Sequence, residues 1–167
     1  MSSIESARTA PSTGLTLIAA ITVTAAVAGA AEKHLLRFPD VHGDRVVFVH
    51  AEDIWTAPTT GGTALRLTDD EGEERHPKYS PDGSLIGFTA EIDGNPDVYV
   101  MAANGGDIRR LTFHPGTDEV VGWHPTRNKI MFRSARHSFG RRFDRLFLIS
   151  PDGTGLEELP LHEAGRA

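Results

Sequence analysis

The chain has 167 residues, with 17 basic and 23 acidic side chains and a formal net charge of -6. This acidic balance argues against nucleic-acid binding through bulk charge. Hydrophobic residues make up 39% of the chain, which is typical of a globular protein rather than a disordered or multispan membrane protein. Cysteine is absent, which excludes disulfide bonds, a cysteine nucleophile and thiolate metal sites.

The N-terminal segment has the pattern of an export signal. Residues 14–31 carry no charge and read GLTLIAAITVTAAVAGAA, and Ala28 and Ala30 form the A-x-A pattern that signal peptidase cleaves before Ala31. We therefore predict that residues 1–30 are a removed signal peptide and that the protein is exported, to the periplasm. The positive region is weak, because Arg8 is the only basic residue upstream and Glu5 cancels it. An uncleaved anchor, which would be the only membrane contact, and an unstructured extension remain as alternatives.

The remainder, residues 31–167, contains three similar units. In each unit an aromatic residue precedes a turn, a phenylalanine closes a short apolar run, and an aspartate opens a second run. These landmarks are Phe38, Tyr79 and Trp123, then Phe48, Phe88 and Phe132, then Asp53, Asp97 and Asp144. The aspartates are 44 and 47 residues apart, which is the period of a propeller blade.

The apolar runs predict strands that are covered on both faces. They are four or five residues long and are bounded by Gly, Pro, Asn and Asp, and their apolar residues are consecutive rather than alternate. In the middle unit we predict strands at residues 76–80, 84–90, 97–101 and 107–112, with the SPDG sequence at 80–83 as the first turn. The predicted fold is all-β: an incomplete β-propeller of about three four-stranded antiparallel blades, preceded by the apolar signal-like segment. The blades are predicted at residues 34–68, 76–112 and 119–160.

Three blades are too few for a closed ring, which commonly needs about four to eight. The two terminal blades would otherwise present apolar faces to water. We therefore expect either the remaining blades of a longer chain or self-association to cover them.

The phrases of the sequence resemble known propeller families. An aromatic residue, then SPDG, then a strand ending in Phe, as at residues 79–88, is similar to WD-type, TolB-like propeller repeats. The ordered phrases HLLRFPDVHGDRVVFVHAEDIW, HPKYSPDG, DGNPDVYVMAANGG and RLTFHP resemble the start of tricorn-type serine peptidases, over roughly residues 34–163. That resemblance implies the N-terminal propeller portion of a large peptidase, which gates or docks peptides while the catalytic residues lie far downstream. It assigns no catalytic residue here, so these 167 residues alone are predicted to be inactive.

Two other functions remain open. One is a stand-alone TolB-like periplasmic propeller that binds a protein partner without catalysis, and the other is a repeat array with no activity of its own. The archaeal tricorn type is cytosolic, which gives the cytoplasm as the alternative location.

Motifs of catalysis and cofactor binding are missing from the sequence. It has no G-x-S-x-G, H-E-x-x-H, G-x-x-x-x-G-K-[ST] or G-x-G-x-x-G sequence, and its eight histidines lack ligand spacing. We therefore predict no catalytic residue, cofactor or metal. Asp53, Asp97 and Asp144 are interpreted as acceptors of backbone N–H bonds from the preceding loop. Arg66, Arg109 and Arg110 are interpreted as charges that protect outer strands.

The loops of a blade divide between two faces of the propeller. The turns after the first and third strands share one face, and the longer loops after the second and fourth strands share the other, which we term the loop face. Variable polar loops on a rigid scaffold favour binding, so we predict that peptides or a protein partner contact the loop face. The alternative is a solvated face without a ligand. The candidate residues are Asp69, Asp70, Glu71, Glu73, Glu74, Asp93, Asn95, Arg136, Arg141 and Arg142.

Overall fold

The computed structural model describes residues 35–137 and 143–161, which belong to one compact unit. These residues form three four-stranded antiparallel sheets and no helix, which confirms the predicted all-β, incomplete propeller. Blade 1 consists of β1 (Arg37–His42), β2 (Arg45–His50), β3 (Asp53–Pro58) and β4 (Leu65–Arg66); blade 2 of β5 (Glu74–Tyr79), β6 (Leu85–Ala90), β7 (Asp97–Ala102) and β8 (Arg109–Arg110); and blade 3 of β9 (Asp118–Trp123), β10 (Ile130–Ser134), β11 (Arg145–Ile149) and β12 (Glu157–Glu158).

Some predictions fall outside this description. The predicted signal segment, residues 1–30, and the candidate residues Arg141 and Arg142 lie outside the described residues. Within the described ranges, no helix is long and apolar enough to cross a membrane.

The first strands of the three blades lie together. Strand β5 lies against both β1 and β9, whereas the outer strands β4, β8 and β12 make no comparable contacts with one another among the described residues. The sheets therefore fan out from the line of β1, β5 and β9, which we term the axial strands. Such radial packing of sheets about an axis is the arrangement of a propeller.

The core lies between successive sheets, as the consecutive apolar positions predicted. Phe88 and Tyr99 pair across β6 and β7, stack with ring centroids 5.9 Å apart, and belong to the same buried cluster as Val47 and Val49 of blade 1. The equivalent rings of blade 3 stack at 5.6 Å and are buried in a second cluster against blade 2. Each inner face of a sheet therefore removes apolar area from water by packing on its neighbour.

The fourth strand of the middle blade is shorter than predicted. Strand β8 has two residues rather than the six predicted at 107–112. The Thr112 hydroxyl accepts the Val98 N–H at 2.9 Å, so a side chain takes the place of a main-chain acceptor and ends the ladder. In blade 1, Thr68 accepts the Ile54 N–H at 2.8 Å in the same way.

The strand register corrects the alignment of the third unit. Trp55, Tyr99 and Phe147 are equivalent, because they lie opposite Phe48, Phe88 and Phe132 respectively. The residues two positions earlier are Asp53, Asp97 and Arg145, so Arg145 and not Asp144 occupies the third aspartate position. Two adjacent charged residues after a longer insertion made the sequence alignment ambiguous by one residue.

Candidate functional site

The aspartates that open the third strands of blades 1 and 2 bind side chains in or just after the fourth strands. Arg66 donates to Asp53 Oδ1 at 2.8 Å, Arg110 donates to Asp97 Oδ2, and Thr112 donates to Asp97 Oδ1 at 2.8 Å. We expected backbone N–H donors from the preceding loop and arginines that only protect an edge. The structure instead shows that Arg66 and Arg110 fix the outer strand to its neighbour through a carboxylate.

In blade 3 the pair between the third and fourth strands has its charges reversed. Glu158 lies opposite Phe147, as Arg110 lies opposite Tyr99, and its carboxylate accepts a hydrogen bond from Arg145 at 2.5 Å. The Arg145 guanidinium lowers the pKa of Glu158 through this bond. The acidic residue and the arginine have therefore exchanged strands between blade 2, where Asp97 pairs with Arg110, and blade 3, where Arg145 pairs with Glu158.

Three predicted loop-face residues are engaged within the chain. Asp93 Oδ2 accepts from Arg110 at 2.8 Å, and Asn95 Nδ2 donates to His114 O at 2.9 Å. Arg136 donates to the buried Asp118, and its guanidinium lies 5.2 Å from the centre of the Phe132 ring. These side chains hold loops and blades together, which limits what they can offer to a ligand.

The acidic run between blades 1 and 2 divides into residues of different kinds. Asp69, Asp70 and Glu71 are exposed and form an acidic patch on the loop face. We predicted Glu74 as a loop residue, and this prediction is wrong. Glu74 is the first residue of β5 and its side chain has 0% exposure. Burial raises the pKa of Glu74 to about 7, against a hydrogen bond from Thr68 that opposes the shift. Glu74 is therefore removed from the candidate binding residues.

The axial strands carry a group of charges that sequence reasoning missed. Arg37, Arg75 and Glu119 occupy equivalent register positions, opposite Val49, Thr89 and Arg133. Together with their partners they form what we term the axial charge cluster. Its members are Arg37, Glu73, Arg75, His76, Glu119 and Arg133. A signal existed in the sequence, since Arg-Phe-Pro at 37–39 recurs as Arg-His-Pro at 75–77.

The cluster consists of two linked halves. In the first, Arg75 donates to Glu73 and Arg37 lies 3.7 Å from it, and the bond from Arg75 lowers the pKa of Glu73. In the second, Glu119 accepts from Arg133 and its Oε1 lies 3.3 Å from His76 Nδ1. Burial lowers the pKa of His76, although the negative charge of Glu119 acts to raise it. The lowered pKa favours a neutral imidazole at neutral pH.

A β-bulge in the axial strands fixes His76 in place. The register shifts between Arg75 and Lys78 in β5, and between Arg37 and Asp40 in β1. His76 and Phe38 lie in these bulges with φ near 53°, and their rings are 4.1 Å apart. Bulges commonly re-aim side chains, and here they place two rings of neighbouring blades against each other.

An open depression joins the cluster to the loop face. Its volume is about 330 Å³, and its lining includes His114, Thr117, Glu119, Arg133 and Asp144. Arg133 donates to Asp144 Oδ2 at 3.3 Å as well as to Glu119, so charges of both signs border this space. The six residues of the cluster include no Ser, Thr or Cys, so the cluster presents charges of both signs but supplies no hydroxyl or thiol nucleophile.

The histidines do not assemble into a metal site in the described part of the chain. No group of three or more His, Asp or Glu side chains there is placed to hold a metal ion.

Comparison with known proteins identifies relatives of the whole described region. The family described as "Tricorn protease N-terminal beta propeller domain" matches residues 33–167. Tricorn protease homolog 1 of Streptomyces coelicolor is 43% identical over 90 residues, which are 53% of this chain and 8% of the relative. The tricorn protease of Thermoplasma acidophilum is 27% identical over 141 residues, which are 78% of this chain and 13% of the relative. The chain therefore spans only a small part of these relatives.

Shorter relatives and solved structures share the same region. The "Putative Tricorn-like protease N-terminal subunit" of Sulfurisphaera tokodaii is 25% identical over 127 residues, which are 73% of this chain and 64% of the relative. The crystal structure of the tricorn protease superposes with a TM-score of 0.66 at 24% identity, covering 75% of this chain and 13% of that one. A TolB structure from Agrobacterium tumefaciens gives a TM-score of 0.61 at 24% identity, covering 75% of this chain and 50% of that one. These structures show the propeller fold.

Proposed function

Because the chain belongs to the family of tricorn protease N-terminal β-propeller domains, we propose that it is the N-terminal propeller portion of a tricorn-like serine peptidase. In this proposal the portion gates or docks peptide substrates, and the catalytic Ser, His and acidic residues lie downstream in the enzyme. The 167 residues alone are then inactive as a peptidase.

The axial charge cluster is the observation that carries the docking role. A peptide has an ammonium group at one end and a carboxylate at the other, and the depression presents Arg133 beside Glu119 and Asp144. Strands β9 and β10 position Glu119 and Arg133, so these charges lie on a rigid scaffold rather than on a free loop. In this proposal a peptide terminus competes with these internal pairs, its carboxylate for Arg133 and its ammonium group for Glu119 or Asp144.

The acidic patch of Asp69, Asp70 and Glu71 adds a preference among peptides. Exposed charges on a surface steer ligands of opposite charge over about one Debye length, near 10 Å at 0.1 M salt. We propose that basic peptides associate faster than acidic ones and that this difference diminishes as salt is added.

The covering of the terminal blades and the cellular location also remain proposals. We propose that further blades of a longer peptidase chain complete the ring, a proposal supported by the small share of the full-length relatives that this chain covers. Export to the periplasm is supported by the uncharged residues 14–31 and the A-x-A pattern ending at Ala30. Mass spectrometry of the N-terminus of the natural protein tests it, because an intact N-terminal peptide starting at Met1 contradicts removal of residues 1–30.

The docking role is tested by peptide binding to the natural full-length protein. We would titrate fluorescently labelled hexapeptides, each with a free or an amidated C-terminus, and follow fluorescence anisotropy. Arg133→Ala should weaken binding of the free-carboxylate peptide about tenfold, the equivalent of about 1.4 kcal/mol, and leave the amidated peptide unchanged. Arg127→Ala is the matched control, because Arg127 is an exposed arginine that pairs with Glu157 away from the depression.

Two results would contradict the proposal. The first is equal effects of the two arginine substitutions, which would remove the depression as the docking site. The second is the absence of peptide binding together with specific capture of a folded protein partner, which would favour the TolB-like function instead. A fluorogenic peptide assay on the same preparations reports whether cleavage requires the longer chain.

A further inference from the structure

The interface between two neighbouring blades, which we term a seam, contains a buried carboxyl group at Glu74 in the case of blades 1 and 2. The Glu74 N–H donates to Glu52 O at 2.9 Å, and the Thr68 hydroxyl donates to Glu74 Oε2 at 3.0 Å. Thr68 in turn accepts the Ile54 N–H at 2.8 Å. A continuous chain of hydrogen bonds therefore runs from β3 through Thr68 to the first residue of β5.

This carboxyl group is only partly satisfied. Its side chain is fully buried, and Oε1 has no hydrogen-bond partner in the described part of the chain. Leaving a buried oxygen unpaired is unfavourable for a neutral group and more so for a charged one. The neutral, protonated carboxyl is therefore favoured over the carboxylate at this place.

The neighbouring charges do not supply a counterion. Asp53 at the start of β3 and Asp70 in the loop are acidic and disfavour a charge on Glu74. Arg66 of β4 favours it, but its guanidinium is bonded to Asp53 at 2.8 Å. Arg75, the next residue of β5, pairs with Glu73, which precedes the strand.

The seam between blades 2 and 3 offers an internal comparison. Asp118 begins β9 as Glu74 begins β5, and its N–H donates to Pro96 O at 2.9 Å, as that of Glu74 donates to Glu52 O. Burial raises the pKa of Asp118 too, but Ser134 and the guanidinium of Arg136 oppose that shift. One seam therefore contains a buried acid with a cation beside it, and the other contains a buried acid without one.

We propose that Glu74 is a proton-operated latch, in which the protonated carboxyl closes the seam between blades 1 and 2 and its ionisation loosens that seam. Loosening reaches the axial charge cluster, because Glu73 and Arg75 are the immediate neighbours of Glu74 in the chain and belong to that cluster. The latch makes the docking region sensitive to pH in the neutral range. The proposal rests on the burial and hydrogen bonds of Glu74, so it does not depend on whether the depression binds peptides.

The direction of the effect follows from the two protonation states. Burial raises the pKa of Glu74 from 4.5 in the unfolded chain to about 7 in the folded protein. Between these values the folded state binds more protons than the unfolded state, so stability falls as pH rises through this range. Above the folded pKa, Glu74 is ionised in both states and no longer contributes to the pH dependence of stability. From pH 5.5 to pH 8 the folding equilibrium constant should decrease about thirtyfold from this group alone.

A direct measurement on the wild-type protein tests the latch. The carboxyl carbon of Glu74, followed by ¹³C NMR during a pH titration of the natural protein, should titrate near neutral pH. Over the same range, the protection factors of the Ile54 and Glu74 amides, which divide out the intrinsic rise of exchange with pH, should fall, whereas those of the Val98 and Asp118 amides should not. A carboxyl midpoint near 4.5, or an equal loss of protection at both seams, would overturn the proposal.

A pair of variants provides a second test. Glu74→Gln keeps the shape of the side chain and removes the titration, so it should abolish the thirtyfold change between pH 5.5 and 8. Glu71→Gln is the matched control, because Glu71 is exposed in the same acidic run, and it should keep the wild-type pH dependence. An unchanged pH dependence in Glu74→Gln contradicts the latch, and the NMR titration decides the question if that variant does not fold.

Discussion

Alanine substitutions of Asp97 and Asp144 distinguish two alignments of blades 2 and 3. The strand register makes Arg145 the counterpart of Asp97, whereas the sequence pattern makes Asp144 its counterpart. The Asp97 side chain is 0% exposed and accepts hydrogen bonds from Arg110, from Thr112 at 2.8 Å and from Asn95 at 3.1 Å. The sequence alignment treats Asp144 as the same position. The Asp144 side chain, however, is 38% exposed and accepts from Arg133 at 3.3 Å.

The structure predicts very different costs for the two alanine variants. Removing one partner of a buried ion pair costs about 3–5 kcal/mol, and the lower end applies here because Asp93 still pairs with Arg110. Asp97→Ala should therefore destabilise the protein by about 3 kcal/mol. Asp144→Ala should cost about 0–1 kcal/mol, because the pair is partly exposed and Arg133 keeps Glu119 as a partner.

Urea unfolding monitored by circular dichroism measures this difference. With a slope of about 2 kcal/mol per molar, Asp97→Ala should lower the midpoint by about 1.5 M, and Asp144→Ala by less than about 0.5 M. The wild-type slope should be retained in both variants. Equal losses of stability would refute the register equivalence of Asp97 with Arg145 and the energetic argument built on it.

Two further substitutions test the contacts between blades by thermal unfolding. Gly83→Ala should cost more than about 1 kcal/mol, because Gly83 has a φ of 71° and a Cβ there would lie 2.3 Å from His42 Nδ1 of blade 1. Its control is Gly122→Ala, where a Cβ meets open space and a large loss would contradict the reasoning. Trp123→Phe should lower the melting temperature by about 4 °C, because it removes the 2.8 Å bond from Trp123 Nε1 to Lys78 O, worth about 1 kcal/mol. An unchanged melting temperature would show that this bond contributes nothing to the seam.

The candidate site was only partly predictable from the sequence. Asp69, Asp70 and Glu71 are exposed between β4 and β5, whereas Glu74, in the same acidic run, is buried in β5. Sequence position does not report on which side of the strand boundary a charged residue falls. The axial charge cluster was missed for a related reason, because Arg75, His76 and Glu119 come together only when β5 and β9 lie side by side.

The sequence by itself determined the all-β class, the number of blades and most strand positions. These features depend on local rules, since apolar runs and turn residues such as SPDG act over a few residues and the unit repeats. Only the tertiary structure decided that Arg145 takes the place of Asp97, that Thr112 ends β8, and that Glu74 lacks the cation which Asp118 has. The physical reason is that the energy of a buried charge depends on groups brought to it from other strands and other blades, and the spacing of residues along one unit contains no record of them.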